Sequence, residues 1–225
     1  MFIVLEGLDG AGKSTQIQLL ENYLQQRGLQ SEYLHFPRYD SKPYGSLISS
    51  FLRGEFGSLD EVDPYFVAML YAEDRMQISS RIKQWLQQGK VVVVDRYVLS
   101  NIAYQGAKMH SMEQTKALSE WIFNLEYNIF SIPKPDISFF LDVPFKFTIN
   151  SLKKNREGRD RDYLNGESDI HEASLDLQRH VREVYIEHSK HDASLKVIDC
   201  SLGGEMDTPE GIFSKIADCL EKILK

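Results

Sequence analysis

Residues Phe2–Ser14 read FIVLEGLDGAGKS, and the order of features in that stretch decides the fold. A short apolar run, Phe2–Leu5, leads into Gly7-Leu8-Asp9-Gly10-Ala11-Gly12-Lys13-Ser14. An apolar-periodic stretch follows, carrying Ile17, Leu20 and Leu24. Strand, glycine-rich turn and helix in that order are the context in which G-x-x-x-x-G-K-[ST] means a phosphate-binding loop. Gly7, Gly10 and Gly12 allow positive φ and bring amide N–H groups close to a polyphosphate. The helix behind them aims its free N–H groups and positive dipole end at the same anion. Lys13 supplies a mobile positive charge for the β- and γ-phosphates, and Ser14 a hydroxyl ligand for Mg²⁺. The pattern specifies a nucleoside triphosphate and leaves open what is done with it.

Outward from this loop, apolar runs alternate with helical periodicity, the signature of a parallel α/β sheet. Strands are expected at Phe2–Glu6, Glu32–Phe36, Val91–Asp95, Ile137–Asp142 and Leu195–Asp199. Val91–Val94 is apolar without alternation, as in a strand covered on both faces. The expected architecture is a three-layer α/β fold, a five-stranded parallel sheet with helices on both faces. The length of 225 residues fits one domain spanning 1–225. Its 26 basic and 33 acidic residues give a net charge of −7, which does not favour nucleic acid or anionic membrane. The N-terminus lacks the basic n-region of a signal peptide, and the longest apolar runs are strand-sized. Cys200 and Cys219 lack metal spacing and read as small core residues in a reducing cytosol. A cytoplasmic protein is expected.

Ligands in such sheets sit beyond the carboxyl ends of the strands, so the residues after each strand matter most. Asp9 lies within the glycine loop, either as a turn former or as a carboxylate needing a compensating cation or hydroxyl. Pro37 ends the second strand and Arg38 emerges at the ligand edge, where an Arg can hold a phosphate by two parallel hydrogen bonds. Asp60–Gln88 reads as one long helix, capped by Asp60 or Asp63 with Pro64 in its first turn. Val62, Tyr65, Phe66, Met69 and Met76 form one apolar stripe, and Ile78, Ile82 and Trp85 a nearly opposite one, so cover is expected on both faces. Tyr71 and Arg75, four apart, share a direction. Their spacing suits a packed Tyr with a snorkelling Arg and equally an aromatic platform with a bidentate donor for a planar base. The third strand closes on Asp95, as in the carboxylate that helps hold Mg²⁺ in P-loop enzymes, and Arg96 follows it. Ser100, Asn101, Tyr104 and Gln105 then offer polar groups at helical spacing.

Ser111 and Gln114 form a capping box ahead of the stripe Leu118, Trp121, Ile122 and Leu125, a segment read as structural. Lys153–Arg161 carries five basic and two acidic residues, Gly158 and Gly166 are expected to make it mobile, and a lid over about 151–168 carrying arginines fits. Leu177, Val181, Val184, Tyr185 and His188 mark one helix face. After the fifth strand a loop, Asp199–Asp207, precedes a last helix starting at Thr208-Pro209 and burying Ile212, Ile216, Cys219, Leu220 and Ile223. Within that loop, Cys200–Gly204 is placed to touch the nucleotide base.

The segments Glu6–Thr15 (EGLDGAGKST), Phe36–Tyr39 (FPRY), Tyr71–Arg75 (YAEDR), Asp95–Gly106 (DRYVLSNIAYQG), Pro133–Asp136 (PKPD) and Val181–Tyr185 (VREVY), with the basic lid, together resemble the thymidylate kinases, P-loop kinases of nucleoside monophosphates. They occur in that family's order over nearly the whole chain. The resemblance implies phosphoryl transfer from MgATP to dTMP, in a homodimer formed through helices including the long one. It implies that Gly7, Leu8, Asp9, Gly10, Ala11, Gly12, Lys13, Ser14 and Thr15 surround the ATP phosphates, with Arg156 near adenine. Ser14 would hold Mg²⁺ and Asp95 would support its shell through water. Asp9 would meet the sugar 3′-hydroxyl, and Arg38 and Arg96 the dTMP phosphate. Tyr71 would stack on thymine and Arg75 bond its O4. Asn101, Tyr104 and Gln105 would line the base and sugar pocket, joined by Phe36, Tyr39 and His171. The Phe36–Pro37 bond would be cis. Many members have Phe where Tyr71 stands and Tyr where His171 falls. The family's catalytic arginine can come from the position after Asp9, which is Gly10 here, or from the lid, which leaves Arg159 or Arg161 to join Asp9, Lys13, Arg38 and Arg96 in catalysis. A kinase for dUMP or a deoxynucleoside is the alternative enzyme; a deoxynucleoside would not need both Arg38 and Arg96. A GTPase switch would carry an N-K-x-D box, which is absent.

Overall fold

The computed structural model describes residues 1–153 and 159–223, with the side chains of 153 and 159–161 outside the description. Strands β1 (Phe2–Gly7), β2 (Ser31–His35), β3 (Val91–Asp95), β4 (Ile137–Asp142) and β5 (Leu195–Asp199) form one sheet in the order β2-β3-β1-β4-β5. Every neighbouring pair is parallel. In β1 and β3 every residue is buried, and because alternate side chains point to opposite faces, both faces of the sheet centre are covered. The expected strand limits hold for β3, β4 and β5, and β2 is displaced one residue toward the N-terminus.

The helices are α1 (Lys13–Gln26), α2 (Tyr44–Leu52), α3 (Pro64–Gln87), α4 (Val98–Gly106), α5 (Met112–Phe123), α6 (Phe145–Lys153), α7 (Ile170–Ala173), α8 (Leu175–Ser189) and α9 (Pro209–Leu220). A π-helical turn, Asn124–Ile129, extends α5, and a 3₁₀ turn spans Arg159–Leu164. Ile17, Leu20 and Leu24 of α1 are buried as their period requires. The main core also takes in Ile82 and Trp85 of α3, Val181 and Tyr185 of α8, and Ile212, Ile216 and Leu220 of α9. A second apolar cluster, Ile48, Phe51, Leu52, Val62, Val67 and Leu70, welds α2 to α3 beside the ligand edge.

Several expectations are corrected. The long helix starts at Pro64, because Asp63 accepts from the amides of Tyr65 and Phe66 and so ends the loop before it. Of its outer stripe, Val62 is buried and Tyr65 packs on Trp121, whereas Phe66, Met69 and Met76 are each 38–44% exposed within one chain. Asp199–Asp207 is not all loop, since Ser201–Leu202 (β6) and Glu205–Met206 (β7) pair as a small antiparallel hairpin across Gly203 and Gly204. Ile223 lies past the last helical turn and is exposed, and Cys219 is half-buried. Ser111 caps α5 through the Gln114 amide, but Gln114 reaches back to the His110 amide rather than closing a box on Ser111. The lid segment is described only in part, and there Leu164 is buried and Tyr163 stacks on Tyr39 with ring centroids 3.7 Å apart. Among the described residues no helix is long and apolar enough to cross a membrane.

Helix α2 was not foreseen, and it bears directly on the site. Gly45, in its first turn, lies against the loop after β2, where a Cβ would come 1.9 Å from the Arg38 carbonyl oxygen. Backbone cannot yield as a flexible side chain does. Gly45→Ala is therefore expected to lower stability by about 1–3 kcal/mol or more and to displace Arg38. Urea denaturation of the variant checks the first effect and nucleoside-monophosphate affinity the second.

Candidate active site

The carboxyl ends of β1, β2 and β3 open into a cleft of about 820 Å³, within the size range of small-molecule sites. Its floor is the glycine loop. Gly10 and Gly12 take φ of 73° and 81°, and Gly12 starts α1 with no side-chain cap, leaving the helix N-terminus open to an anion. Asp9, Gly10, Ala11, Gly12, Lys13, Ser14 and Thr15 all line the cleft. Gly7 and Leu8 do not. A Cβ on Gly7 would come 3.2 Å from that of Ala11, and Leu8 is wholly buried, its carbonyl accepting from Lys13 Nζ at 3.2 Å.

Charge is concentrated and balanced here. Arg96, directly after β3, has φ 64°, in the left-handed region that non-glycine residues seldom occupy. Its Nη2 meets Asp9 Oδ1 at 2.6 Å and the Tyr104 hydroxyl at 3.1 Å, and its Nη1 meets Ser100 Oγ at 3.2 Å. Ser100 in turn donates to buried Glu6, which also accepts from Tyr185 at 2.8 Å and from the Tyr97 amide at 3.1 Å. Burial raises Glu6 above the ordinary carboxylate range. Burial also opposes ionisation of Asp9, but Arg96 and Lys13 outweigh it and hold Asp9 well below that range. Burial, then the Arg96 charge, brings Lys13 down to about 8. Asp95 lies 3.9 Å from Lys13 Nζ and 3.4 Å from His35 Nδ1, and its Oδ1 is buried without a hydrogen-bond partner. That spare carboxylate oxygen and the exposed Ser14 hydroxyl are the groups that would hold a Mg²⁺ ion, which would neutralise charge on bound phosphates. Such an ion needs no protein cage, and among the described residues no larger metal-ligating cluster exists.

The far wall is built by the loop after β2, by α3, α4 and α7. The Phe36–Pro37 bond is cis, as is Lys42–Pro43. Phe36, Arg38 and Tyr39 line the cleft, and Arg38 is held by Asp74, whose carboxylate accepts from the Arg38 amide at 2.8 Å and forms an ion pair with its guanidinium, while the Asp74 backbone carbonyl accepts from Arg38 Nη2 at 2.8 Å. Arg38 and Arg96 thus share one cleft while docked on different carboxylates. Tyr71 and Arg75 also line it. Arg75 is almost completely buried and pairs bidentately with Glu126 at 2.5 and 2.6 Å. Asn101 donates to the Ala68 carbonyl and to Glu126, and Gln105 accepts from Lys108. His171 is no surface residue. It stacks on Tyr104 with centroids 5.1 Å apart and is edge-on to Phe51. Burial, reinforced by Lys108, keeps it neutral, and its Nε2 has no partner among the described residues.

Arg156 and the side chains of Arg159 and Arg161 lie outside the described residues. The Cys200–Gly204 segment is not part of the cleft wall. Sequence reasoning missed four residues that organise the site: Asp74, Glu126, Gln178 and Asp169. Gln178, wholly buried on α8, donates to Asp9 Oδ2 at 2.8 Å and accepts from the Asp9 amide at 3.3 Å. Glu126 stands on the segment read as purely structural, where one acid continuing the stripe of Leu118 and Ile122 was the available signal.

The fold and cleft define a P-loop α/β protein built to hold a nucleotide polyphosphate opposite a second, smaller ligand. A model of the thymidylate kinase family matches residues 5–207. The probable thymidylate kinase of Thermococcus kodakarensis is 34% identical over 229 residues, covering 100% of this chain and 98% of that protein. The thymidylate kinase of Mycobacterium tuberculosis is 33% identical over 187 residues, 83% and 85% of the two chains. The solved structure of thymidylate kinase from Candida albicans aligns with a TM-score of 0.75 at 23% identity, over 98% of this chain and 91% of that one. The chain belongs to the thymidylate kinase family.

Asp169 offers a test of the cleft's electrostatics. Burial and then the neighbouring Asp9 charge raise it to about 7, although Tyr163 donates to it at 2.7 Å. Its folded value is above the unfolded one, so the folded state keeps a proton that the unfolded chain releases. Stability is full below about pH 4 and falls as pH rises to about 7. Asp169→Asn keeps the oxygen that caps α7 and carries no charge. Its stability relative to wild type is expected to improve by on the order of 3 kcal/mol from pH 4 to pH 8. Urea denaturation at both pH values reads the difference.

Proposed function

We propose that this protein transfers the γ-phosphoryl group of ATP to the phosphate of dTMP, giving ADP and dTDP, as one catalytic domain over 1–225. The observation that carries the reading is the single cleft in which the glycine loop faces Arg38, Arg96, Tyr71 and Arg75. A triphosphate on Lys13 and the loop amides then lies across from a nucleoside monophosphate. Mg²⁺, held by Ser14 and through water by Asp95, would neutralise charge on the donor phosphates. Arg38 and Arg96 bind the acceptor phosphate, and Asp9, kept ionised by Arg96 and Lys13, positions the acceptor sugar. Tyr71 supplies a stacking face and Arg75 a donor to the base, with Asn101, Tyr104, Gln105 and His171 around it. Gly10 carries no charge, so transition-state stabilisation is assigned to Arg159 or Arg161, with Arg156 on the adenine side. Such a soluble nucleotide-forming enzyme belongs in the cytoplasm.

An ADP-release assay across dTMP, dUMP, dGMP, dCMP and thymidine tests the reading. dTMP is expected to have the highest kcat/KM, roughly tenfold or more above dUMP, the margin one methyl-sized group supplies. Highest turnover of thymidine would show a nucleoside kinase instead. The Arg159→Ala/Arg161→Ala double variant is expected to lose about 10³-fold or more in kcat with dTMP affinity nearly intact, because the interaction exists mainly in the transition state. Near-normal kcat would remove the lid from the mechanism.

The exposed stripe of Phe66, Met69 and Met76 on α3 supports a homodimer through this helix. Sedimentation velocity is expected to give a dimer for wild type and a monomer for Phe66→Glu/Met69→Glu.

A further inference from the structure

Glu126 has no exposure and is not part of the cleft wall, yet it faces two residues that are. Its Oε2 accepts from Arg75 Nε at 2.5 Å, and its Oε1 accepts from Arg75 Nη2 at 2.6 Å and from Asn101 Nδ2 at 3.2 Å. Asn101 Nδ2 also donates to the Ala68 carbonyl at 3.0 Å. A carboxylate and a carbonyl only accept, so the amide nitrogen of Asn101 must face them. Its Oδ1 is turned away, buried and without a partner among the described residues. One edge of the Arg75 guanidinium, Nε and Nη2, is likewise committed, and Nη1 is the nitrogen left over. One buried carboxylate thereby makes Arg75 a fixed donor and its neighbour Asn101 a fixed acceptor.

The same logic recurs one helical turn further along α4. Lys108 Nζ donates to Gln105 Oε1 at 2.9 Å, and Gln105 Nε2 is buried without a partner among the described residues. Amide direction in this pocket is set by the ionisable side chains packed against it.

We infer that Glu126 is a specificity-determining positioning residue, which sets the cleft to read a base edge showing a carbonyl oxygen beside a ring N–H. The inference rests on the proposed reading of this wall as the base site. Thymine shows that edge as O4 and N3–H. Cytosine shows the reverse, an amino group beside an unprotonated N3, and meets donor against donor and acceptor against acceptor. A site built to hydrogen-bond one pattern rejects the other because its own buried groups are then left unpaired.

Glu126→Gln tests this. The carboxamide has one oxygen and one NH₂ group, so it cannot accept from Arg75 Nε, Arg75 Nη2 and Asn101 Nδ2 together. Either Asn101 turns over or Arg75 moves. The ratio of kcat/KM for dTMP to that for dCMP is expected to fall at least tenfold, with KM for ATP within twofold of wild type. Equal losses for both nucleotides, or an unchanged ratio, would overturn the inference and leave Glu126 a structural residue. Should Glu126→Gln not fold, Glu126→Asp keeps the buried charge balance but is one methylene too short to hold both partners. Its ratio is expected to fall at least threefold, and an unchanged ratio overturns the inference equally. The wild-type measurement separates the two levels of the argument. If wild type shows no preference for dTMP, the reading of the cleft fails. If it prefers dTMP and the variants keep that preference, only the role of Glu126 fails.

Discussion

Arg96 is a guanidinium held almost out of water at the carboxyl edge of the sheet, and the rest of the site is arranged to tolerate it. Removing such a charge from solvent costs several kcal/mol unless its donors are met. Asp9, Tyr104 and Ser100 meet them. Two of these are tied onward, Asp9 to Gln178 on α8 and Ser100 to Glu6 on β1 and Tyr185 on α8. One ion pair thereby joins the loops after β1 and β3 to two helices. The backbone follows, since Arg96 adopts a left-handed φ and its amide donates to the Leu5 carbonyl at 2.9 Å. Strained backbone persists only where surrounding contacts over-determine it, and this residue has them on every side.

The acceptor wall repeats the device with different partners. Asp74 docks Arg38, Glu126 docks Arg75, and Lys108 orients Gln105. In each case a side chain facing the cleft is held by an ionisable group packed against it, which reduces the ordering that ligand binding must impose. The arrangement also explains why α3 is so polar on its inner face. Asp74 and Arg75 are buried there because each has a partner on another element.

Some elements were legible before any coordinates. The strand–loop–helix order of Phe2–Leu24 and the four-valine run of β3 required a parallel sheet, and three of five strand limits were read to the residue. Asp9, Arg38 and Arg96, each just after a strand, line the cleft because parallel topology brings the carboxyl ends to one edge, whereas Cys200–Gly204 after β5 lies outside it. Helix α2 was not legible. Its sequence, YGSLISSFL, has no capping side chain at Pro43 and owes its place to the apolar cluster it shares with α3. The β6–β7 hairpin is too short to leave a periodic signal.

What the sequence by itself determined is the phosphate loop, the sheet, and the residue types lining the cleft. These depend on local spacing, and spacing survives without tertiary information. Only the tertiary structure decided how each polar group is aimed. Gln178 reaches Asp9 across 169 positions, Glu6 reaches Tyr185 across 179, and Glu126 reaches Arg75 across 51. No period links such pairs. They meet because a charge removed from water must find its complement wherever the packed elements bring one, and that demand is settled only when the chain has folded.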